Sequence, residues 1–237
     1  MTTASSVNGS ILNVRNDFTK HFNLEKNNRA LQEENIHLRD SIPSSFIKLK
    51  NRLVKINDTL HETQYEYISA VVINSTHTKQ NNYFTLNIGS SQGIKRGDGV
   101  FSDNGIVGRV HNTSKHYAVV KSCLTSDINT SVLIKESGEF GILKWKGGDP
   151  RKGMVYGVSN DSKIKIGSQV VTRGGTGIFP RGLPVGKVTA IAPIEGQPLW
   201  DITILFSENY RTLQNVYIVK NLLEKEQEEL ENTTPTN

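Results

Sequence analysis

Histidine, cysteine, aspartate, serine and glycine are the residues of this 237-residue chain that could do chemistry, and every candidate set is incomplete. His61-Glu62-Thr63-Gln64 opens like a zinc-protease helix, but that chemistry needs a second histidine where Tyr65 stands. His111 and His116 precede Asp127 with no further ligand in view, and two surface histidines are the expected reading. Gly97-Asp98-Gly99 begins a dinucleotide fingerprint, yet Ser102 takes the place of its last glycine. A hairpin signal follows instead of a helix, so no helix N-terminus would meet a phosphate. There is no G-x-x-x-x-G-K-S/T loop, no G-x-S-x-G and no Gly-Asp-Ser-Gly, so no nucleophilic triad can be nominated. The single cysteine, Cys123, lies in the apolar run Tyr117–Leu124 and reads as core. One cysteine excludes an intrachain disulfide and a cysteine-based zinc cluster. The residues therefore point to a non-enzyme with no catalytic, cofactor-binding or metal-ligating set.

The surface that stands out is the loop Arg173-Gly174-Gly175-Thr176-Gly177-Ile178-Phe179-Pro180-Arg181-Gly182. Its glycines free the backbone, Ile178, Phe179 and Pro180 are too apolar for a solvated turn, and two arginines flank them. An apolar tip with a polar rim is the anatomy of a partner contact, which makes Arg173, Ile178, Phe179 and Arg181 the candidate partner-binding residues. The competing reading has Phe179 plugging its own barrel, and a hydrophobic loop residue does not by itself distinguish the two.

The elements that carry these residues change period along the chain. Ser10 to Asp40 holds neither Pro nor Gly, and Leu24, Leu31 and Leu38 recur every seven residues. With those leucines at heptad position d, Asn28 and Asn35 fall at a. Leu at d and Asn at a make a seam that closes on a second copy, since a buried Asn sacrifices stability to fix register and favours a parallel dimer. Leu24, Asn28, Leu31, Asn35 and Leu38 are thus the expected dimerisation residues. Pro43 breaks the helix. Phe46, Leu49, Leu53, Ile56 and Leu60 then predict a second amphipathic helix.

From Tyr65 onward the pattern alternates as strands do. A dozen short runs are separated by turn signals, Asp103-Asn104-Gly105 being the strongest for a hairpin. An internal repeat lies within them. Ile94-Lys95-Arg96-Gly97-Asp98-Gly99-Val100-Phe101-Ser102 matches Ile164-Lys165-Ile166-Gly167-Ser168-Gln169-Val170-Val171-Thr172, and Gly105–Val110 matches Gly182–Val188. The expected fold is mainly β, with an N-terminal α-helical coiled coil and two related β-barrel-like subdomains. The expected organisation is a helical dimerisation region over 1–63, a first β-subdomain over 64–150, a second over 151–223, and a disordered acidic tail over 224–237.

Net charge is +5, from 28 Lys+Arg and 23 Asp+Glu. The excess lies in residues 64–220, while five glutamates crowd the C-terminal segment. The cations are scattered singly and aromatic residues are only 7%, which argues against nucleic acid. No run approaches the ~18–20 apolar residues of a membrane-spanning helix, and no secretory signal is visible.

One resemblance draws these features together. V-V-I-N-S, Y-F-T-L-N-I-G-S-S-Q-G-I-K-R-G-D-G-V, N-G-I-V-G-R-V, G-S-Q-V-V-T and G-I-F-P-R-G-L-P-V-G-K-V, behind an Asn-rich leucine helix, resemble the rod-shape-determining MreC family over about residues 10–223. The ending Tyr217-Ile218-Val219-Lys220-Asn221-Leu222-Leu223 is similar to its Bacteroidetes branch. The family usually reads Thr-Ser-Gly where this chain has Thr172-Arg173-Gly174. The resemblance implies a non-catalytic scaffold of the cell-elongation machinery, on the periplasmic side of the inner membrane. It implies a homodimer that binds a class B penicillin-binding transpeptidase and MreD and links to MreB and RodA; further association of dimers through apolar β-surface is a separate expectation from the residues. It also implies a membrane helix ahead of residue 1. Two other classes fit parts of the pattern: an adaptor of a membrane transport system, and a catalytically dead trypsin-like β-barrel. The adaptor would carry β-structure on both sides of a helical hairpin; here the β-runs begin only after the helix.

Overall fold

A computed structural model describes residues 28–39, 46–48 and 61–233. The chain divides into two units, Met1–Ser41 and Ile42–Asn237. In the first, residues 28–39 form helix α1. Leu31 and Leu38 are 55% and 58% exposed on it, while Asn35 of the same heptad seam is half-buried. Leu24 lies outside the described residues.

The second unit opens with strands β1 (Phe46–Lys48) and β2 (His61–Thr63), paired antiparallel from Phe46↔Thr63 to Lys48↔His61. A helix was expected to start at Phe46. Aromatic and β-branched residues suit a strand equally well, and an available pairing partner overrides a helical spacing. The remainder of that expected helix, residues 49–60, lies outside the described residues.

Twelve strands follow, at the runs read from the sequence: β3 (Tyr65–Ser75), β4 (Tyr83–Leu86), β5 (Gly99–Phe101), β6 (Ile106–Thr113), β7 (Ala118–Ser122), β8 (Thr130–Ile134), β9 (Phe140–Lys144), β10 (Lys152–Ser159), β11 (Gln169–Thr172), β12 (Pro184–Pro193), β13 (Leu199–Phe206) and β14 (Asn215–Asn221). They close two six-stranded antiparallel barrels, in the orders β14-β3-β4-β7-β6-β5 and β10-β13-β12-β11-β8-β9. Alternate side chains fill each interior, among them Phe84, Leu86, Val100, Val120 and Ile218 in the first and Val132, Ile134, Val155, Ile202 and Ile204 in the second.

This pairing corrects the expected boundaries of 64–150 and 151–223. Strands β8 and β9 pair with β11 and β10 and belong to the second barrel. Strand β14 returns to pair with β3 and β5 and closes the first. The second barrel is thus inserted between β7 and β14. Alternation marks a strand but does not name its neighbour, so the closing strand was not legible locally.

The barrels share one topology. Matching β14, β3, β4, β5, β6 and β7 to β8, β9, β10, β11, β12 and β13 reproduces the cyclic order. The repeat read from the sequence is the structural repeat. Gly97 donates to the Val110 carbonyl at 2.9 Å and Gly167 to that of Val188 at 2.8 Å. Val110 donates back to Asp98 and Val188 to Ser168, each at 2.9 Å. A bulge falls at Val100/Phe101 in one and Val170/Val171 in the other. Gly108 and Gly186, the interior glycines of the repeat, are required by close backbone approach: a Cβ would sit 2.1 Å from the Lys121 carbonyl oxygen or 2.4 Å from that of Leu205.

The acidic tail also differs from expectation. Glu224–Thr233 form helix α2, with Glu224 and Glu226 in its first turn where the helix dipole favours acids. Glu, Lys and Gln are good helix formers and no Gly or Pro interrupts them. The Asn221 carboxamide accepts from the Leu223 amide at 3.1 Å, and the Gln227 side chain donates to the Gly175 carbonyl at 2.9 Å, tying the helix to the second barrel. No described helix is long and apolar enough to cross a membrane.

Candidate interaction surface

The loop 173–182 joins β11 to β12, where the first barrel has the tight turn 102–105. Both close on the same bond: Ser102 donates to the Gly105 carbonyl at 2.8 Å and Thr172 to that of Leu183 at 2.9 Å. The buried Thr172 hydroxyl donates to the Pro180 carbonyl at 2.6 Å and accepts from the Leu183 amide at 2.9 Å, fixing the neck of the longer loop. Gly174, Gly175 and Gly177 have φ of +73, +83 and +74°, a region that disfavours side chains.

This loop folds onto the first barrel. Phe179 is 4% exposed and its ring covers Gly99 of β5, where a Cβ would meet the ring at 2.8 Å and the Ile178 carbonyl at 2.4 Å. Phe179 therefore fills a seam between the two barrels, and its own ring offers no open contact surface. Ile178 is half-buried beside it, while Arg173 and Arg181 remain exposed. The sequence showed an apolar loop but not that a glycine on a distant strand would receive it.

The seam has a second fastening. Tyr210, buried in the β13–β14 connection, stacks on Phe84 of the first barrel at 6.5 Å and meets Phe206 of the second edge-on at 5.4 Å. Its hydroxyl donates to the Ile106 carbonyl at 3.0 Å. The Ser102 hydroxyl hydrogen-bonds the carboxylate of buried Glu208, and Arg109 donates to the Asn129 carbonyl at 2.8 Å. Cys123 is 3% exposed, and burial pushes its thiol up to about 12. Asp127 is engaged by Lys121 and held below its ordinary value, chiefly by that hydrogen bond. The exposed His111 ring lies 5.9 Å from that of Tyr83. Among the described residues no three of His, Cys, Asp and Glu gather as a metal site would require.

One exposed apolar surface lies on the outer face of β9 and β10; Val71 and Ile73 of β3, Tyr117 and Ile166 are exposed elsewhere. Phe140 and Ile142 point outward at 45% and 36% exposure, and Ile142 pairs with the half-buried Tyr156. Leu205 of β13, 40% exposed, pairs with Lys152 of β10 at the far side. Cations surround this face: the Arg173 guanidinium sits 4.1 Å over the Phe140 ring, and the Lys144 and Lys146 ammonium groups lie 5.9 and 5.2 Å from the Tyr156 ring. Alternation in Phe140-Gly141-Ile142-Leu143-Lys144 carried this signal in the sequence, but the outward face cannot be assigned before the barrel closes.

Two fused six-stranded barrels, with a sealed seam and an apolar outer face bordered by cations, define a tandem-barrel protein. Residues 72–220 match the barrel core of Rod shape-determining protein MreC, and the chain belongs to the MreC family. The cell shape-determining protein MreC of Listeria monocytogenes is 27% identical over 188 residues, 76% of this chain and 61% of that protein. The chain thus spans about three fifths of that relative's length. The crystal structure of MreC from Pseudomonas aeruginosa shares the fold with a TM-score of 0.60 at 21% identity, covering 65% of this chain and 99% of that one. The Helicobacter pylori MreC solved in complex with the penicillin-binding protein PBP2 gives a TM-score of 0.54 at 18% identity, over 67% and 99% of the two chains.

Proposed function

We propose that this protein is a non-catalytic periplasmic scaffold of the cell-elongation machinery, anchored at the inner membrane. It dimerises through Leu24, Asn28, Leu31, Asn35 and Leu38 and binds a class B penicillin-binding transpeptidase, with MreD, MreB and RodA completing the assembly. The observation that supports transpeptidase binding is that the H. pylori relative, solved with its penicillin-binding protein, shares its fold with this chain over 99% of its length.

The outer face of β9 and β10 has the chemistry for such a contact. Exposed aromatic and aliphatic residues supply buried area, and stacked cations supply orientation. Arg173 and Arg181 border it from the loop, while Ile178 and Phe179 seat that loop against β5 of the first barrel. The uncovered Leu31 and Leu38 of α1 support the dimer, because leucines spaced by one heptad on a polar helix gain most from a second helix. Biolayer interferometry with the cognate transpeptidase ectodomain tests the reading. Phe140→Ala with Ile142→Ala should weaken binding at least about 30-fold if the face holds an anchor. Unchanged affinity would remove the face from the proposal.

A further inference from the structure

An open groove of about 670 Å³ lies at the arginine end of this face, lined by Gln64, Tyr65, Phe140, Arg173, Gly174, Gly175 and Arg181. Its volume falls in the range of built ligand sites. Its lining carries two cations and no acid, and the acidic helix α2 is tied to Gly175 at its edge. Arg173 and Arg181 are exposed, and neither has a carboxylate within ion-pair distance among the described residues. The Arg173 guanidinium lies 4.1 Å over the Phe140 ring, and an arginine's planar fork of N–H donors matches a carboxylate. The amides of Gly174 and Gly175 donate to no backbone carbonyl in the described residues. Tyr65 is 4% exposed, and burial, with Tyr67 adding to it, pushes its hydroxyl up to about 12, so it stays protonated at neutral pH.

We propose that this groove binds a carboxylate-bearing peptide segment of a partner protein, an Asp or Glu next to an aromatic residue. The carboxylate would take the Arg173 and Arg181 guanidinium groups, and the neighbouring aromatic side chain would lie against the part of Phe140 that Arg173 leaves exposed. Charge complementarity selects the occupant. Two guanidinium groups with no ion pair among the described residues favour an anion, and bidentate Arg–carboxylate pairing is among the stronger hydrogen-bonded contacts. The recess favours a peptide over a membrane surface, which would meet a flat array of cations. The inference deepens the scaffold reading by naming the chemistry at one end of its contact face. It rests on that reading only for which partner supplies the segment.

The test uses the full chain and a defined probe, the peptide acetyl-Phe-Glu-Phe-Glu-Gly-Gly-Lys-amide carrying fluorescein on the lysine, beside its Gln counterpart with the same label. Anisotropy should show the Glu peptide binding about tenfold more tightly than the Gln peptide, as expected for hydrogen bonds to a charged acceptor. Arg173→Gln with Arg181→Gln should erase that preference while the circular dichroism spectrum and melting temperature stay unchanged. The ¹⁵N side-chain resonances of both arginines should shift on titration. Equal affinity for the two peptides, or a preference that survives the double substitution, overturns the proposal. Displacement by millimolar phosphate as effective as by unlabelled peptide makes this a general anion site and also overturns it. So does arginine-dependent sedimentation with phosphatidylglycerol vesicles that outcompetes the peptide. The transpeptidase is absent from every arm, so this inference and the scaffold reading can fail separately.

Discussion

Removing the Phe179 ring should destabilise the protein by about 3 kcal/mol, because the ring is a structural plug between the barrels. It is 4% exposed, and a buried aromatic side chain removes about 150–250 Å² from water. At ~25 cal/mol per Å² the transfer contribution alone would be about 4–6 kcal/mol, an upper value because unfolded chains already hide part of their surface. Phe→Ala in well-packed cores costs about 3–5 kcal/mol. A glycine-rich loop can settle partly into the space, which places Phe179→Ala near the low end. Gly99→Ala attacks the same contact from the other side. Its methyl would lie 2.8 Å from the ring and 2.4 Å from the Ile178 carbonyl, overpacking worth about 1–3 kcal/mol. The two substitutions must therefore couple: with the ring gone, the methyl meets only the carbonyl and costs less. Urea unfolding gives the numbers, followed by circular dichroism for both barrels. Fluorescence follows Trp145 and Trp200, which lie just after β9 and in β13 of the second barrel. A Phe179→Ala cost below about 0.5 kcal/mol, within the range of an ordinary surface change, would refute the plug. So would strict additivity with Gly99→Ala, since contacting residues couple by about 0.5–3 kcal/mol.

Thr172→Val removes a hydroxyl that both donates and accepts at the loop neck, and should cost about 1–3 kcal/mol in urea unfolding by leaving buried partners unmet. Cys123, with its thiol raised to about 12 and fully buried, should resist Ellman's reagent at neutral pH until urea unfolds the first barrel; rapid native-state labelling would contradict that placement. Asp98 is held above the ordinary carboxylate value of 3.8, first by burial and also by Glu224, against the lowering pull of the Lys95 amide and of Lys95 and Lys220. A carboxyl raised by folding binds its proton more tightly in the folded state, so its contribution is full below 3.8 and is lost as pH rises through the folded value. Wild type should accordingly lose stability relative to Asp98→Asn across that window, read as the difference in urea midpoints; a flat or rising difference would contradict the burial argument. Replacing Asn28 and Asn35 with Leu should raise the thermal stability of the α1 helical region and broaden stoichiometry in sedimentation, while a strictly monomeric wild type at high concentration would end the coiled-coil proposal.

What the sequence made legible follows from how local each signal is. The strands came from alternation, and the repeat came from glycines whose spacing is imposed by backbone approach at Gly108 and Gly186. Pairing was not legible, because β14 closes the first barrel against β3, across a separation that leaves no local trace. Helix α2 was hidden by its acidity, since charge reads as solvation until Gln227 meets Gly175. In the candidate surface, Arg173 and Arg181 were visible as exposed cations, but Phe179 is turned into the seam. Phe140, Ile142 and Tyr156 were missed because a strand alone does not say which of its faces looks out.

The proposed docking surface for a class B transpeptidase is the outer face of β9 and β10. The most direct measurement is hydrogen exchange on the full chain with and without the cognate transpeptidase ectodomain. Saturable protection of Phe140–Lys144 and Lys152–Ser159 is expected, lost in the Phe140→Ala, Ile142→Ala variant with the fold intact. Protection confined to the first barrel, or binding that leaves β9 and β10 exchanging as in the free protein, would contradict it.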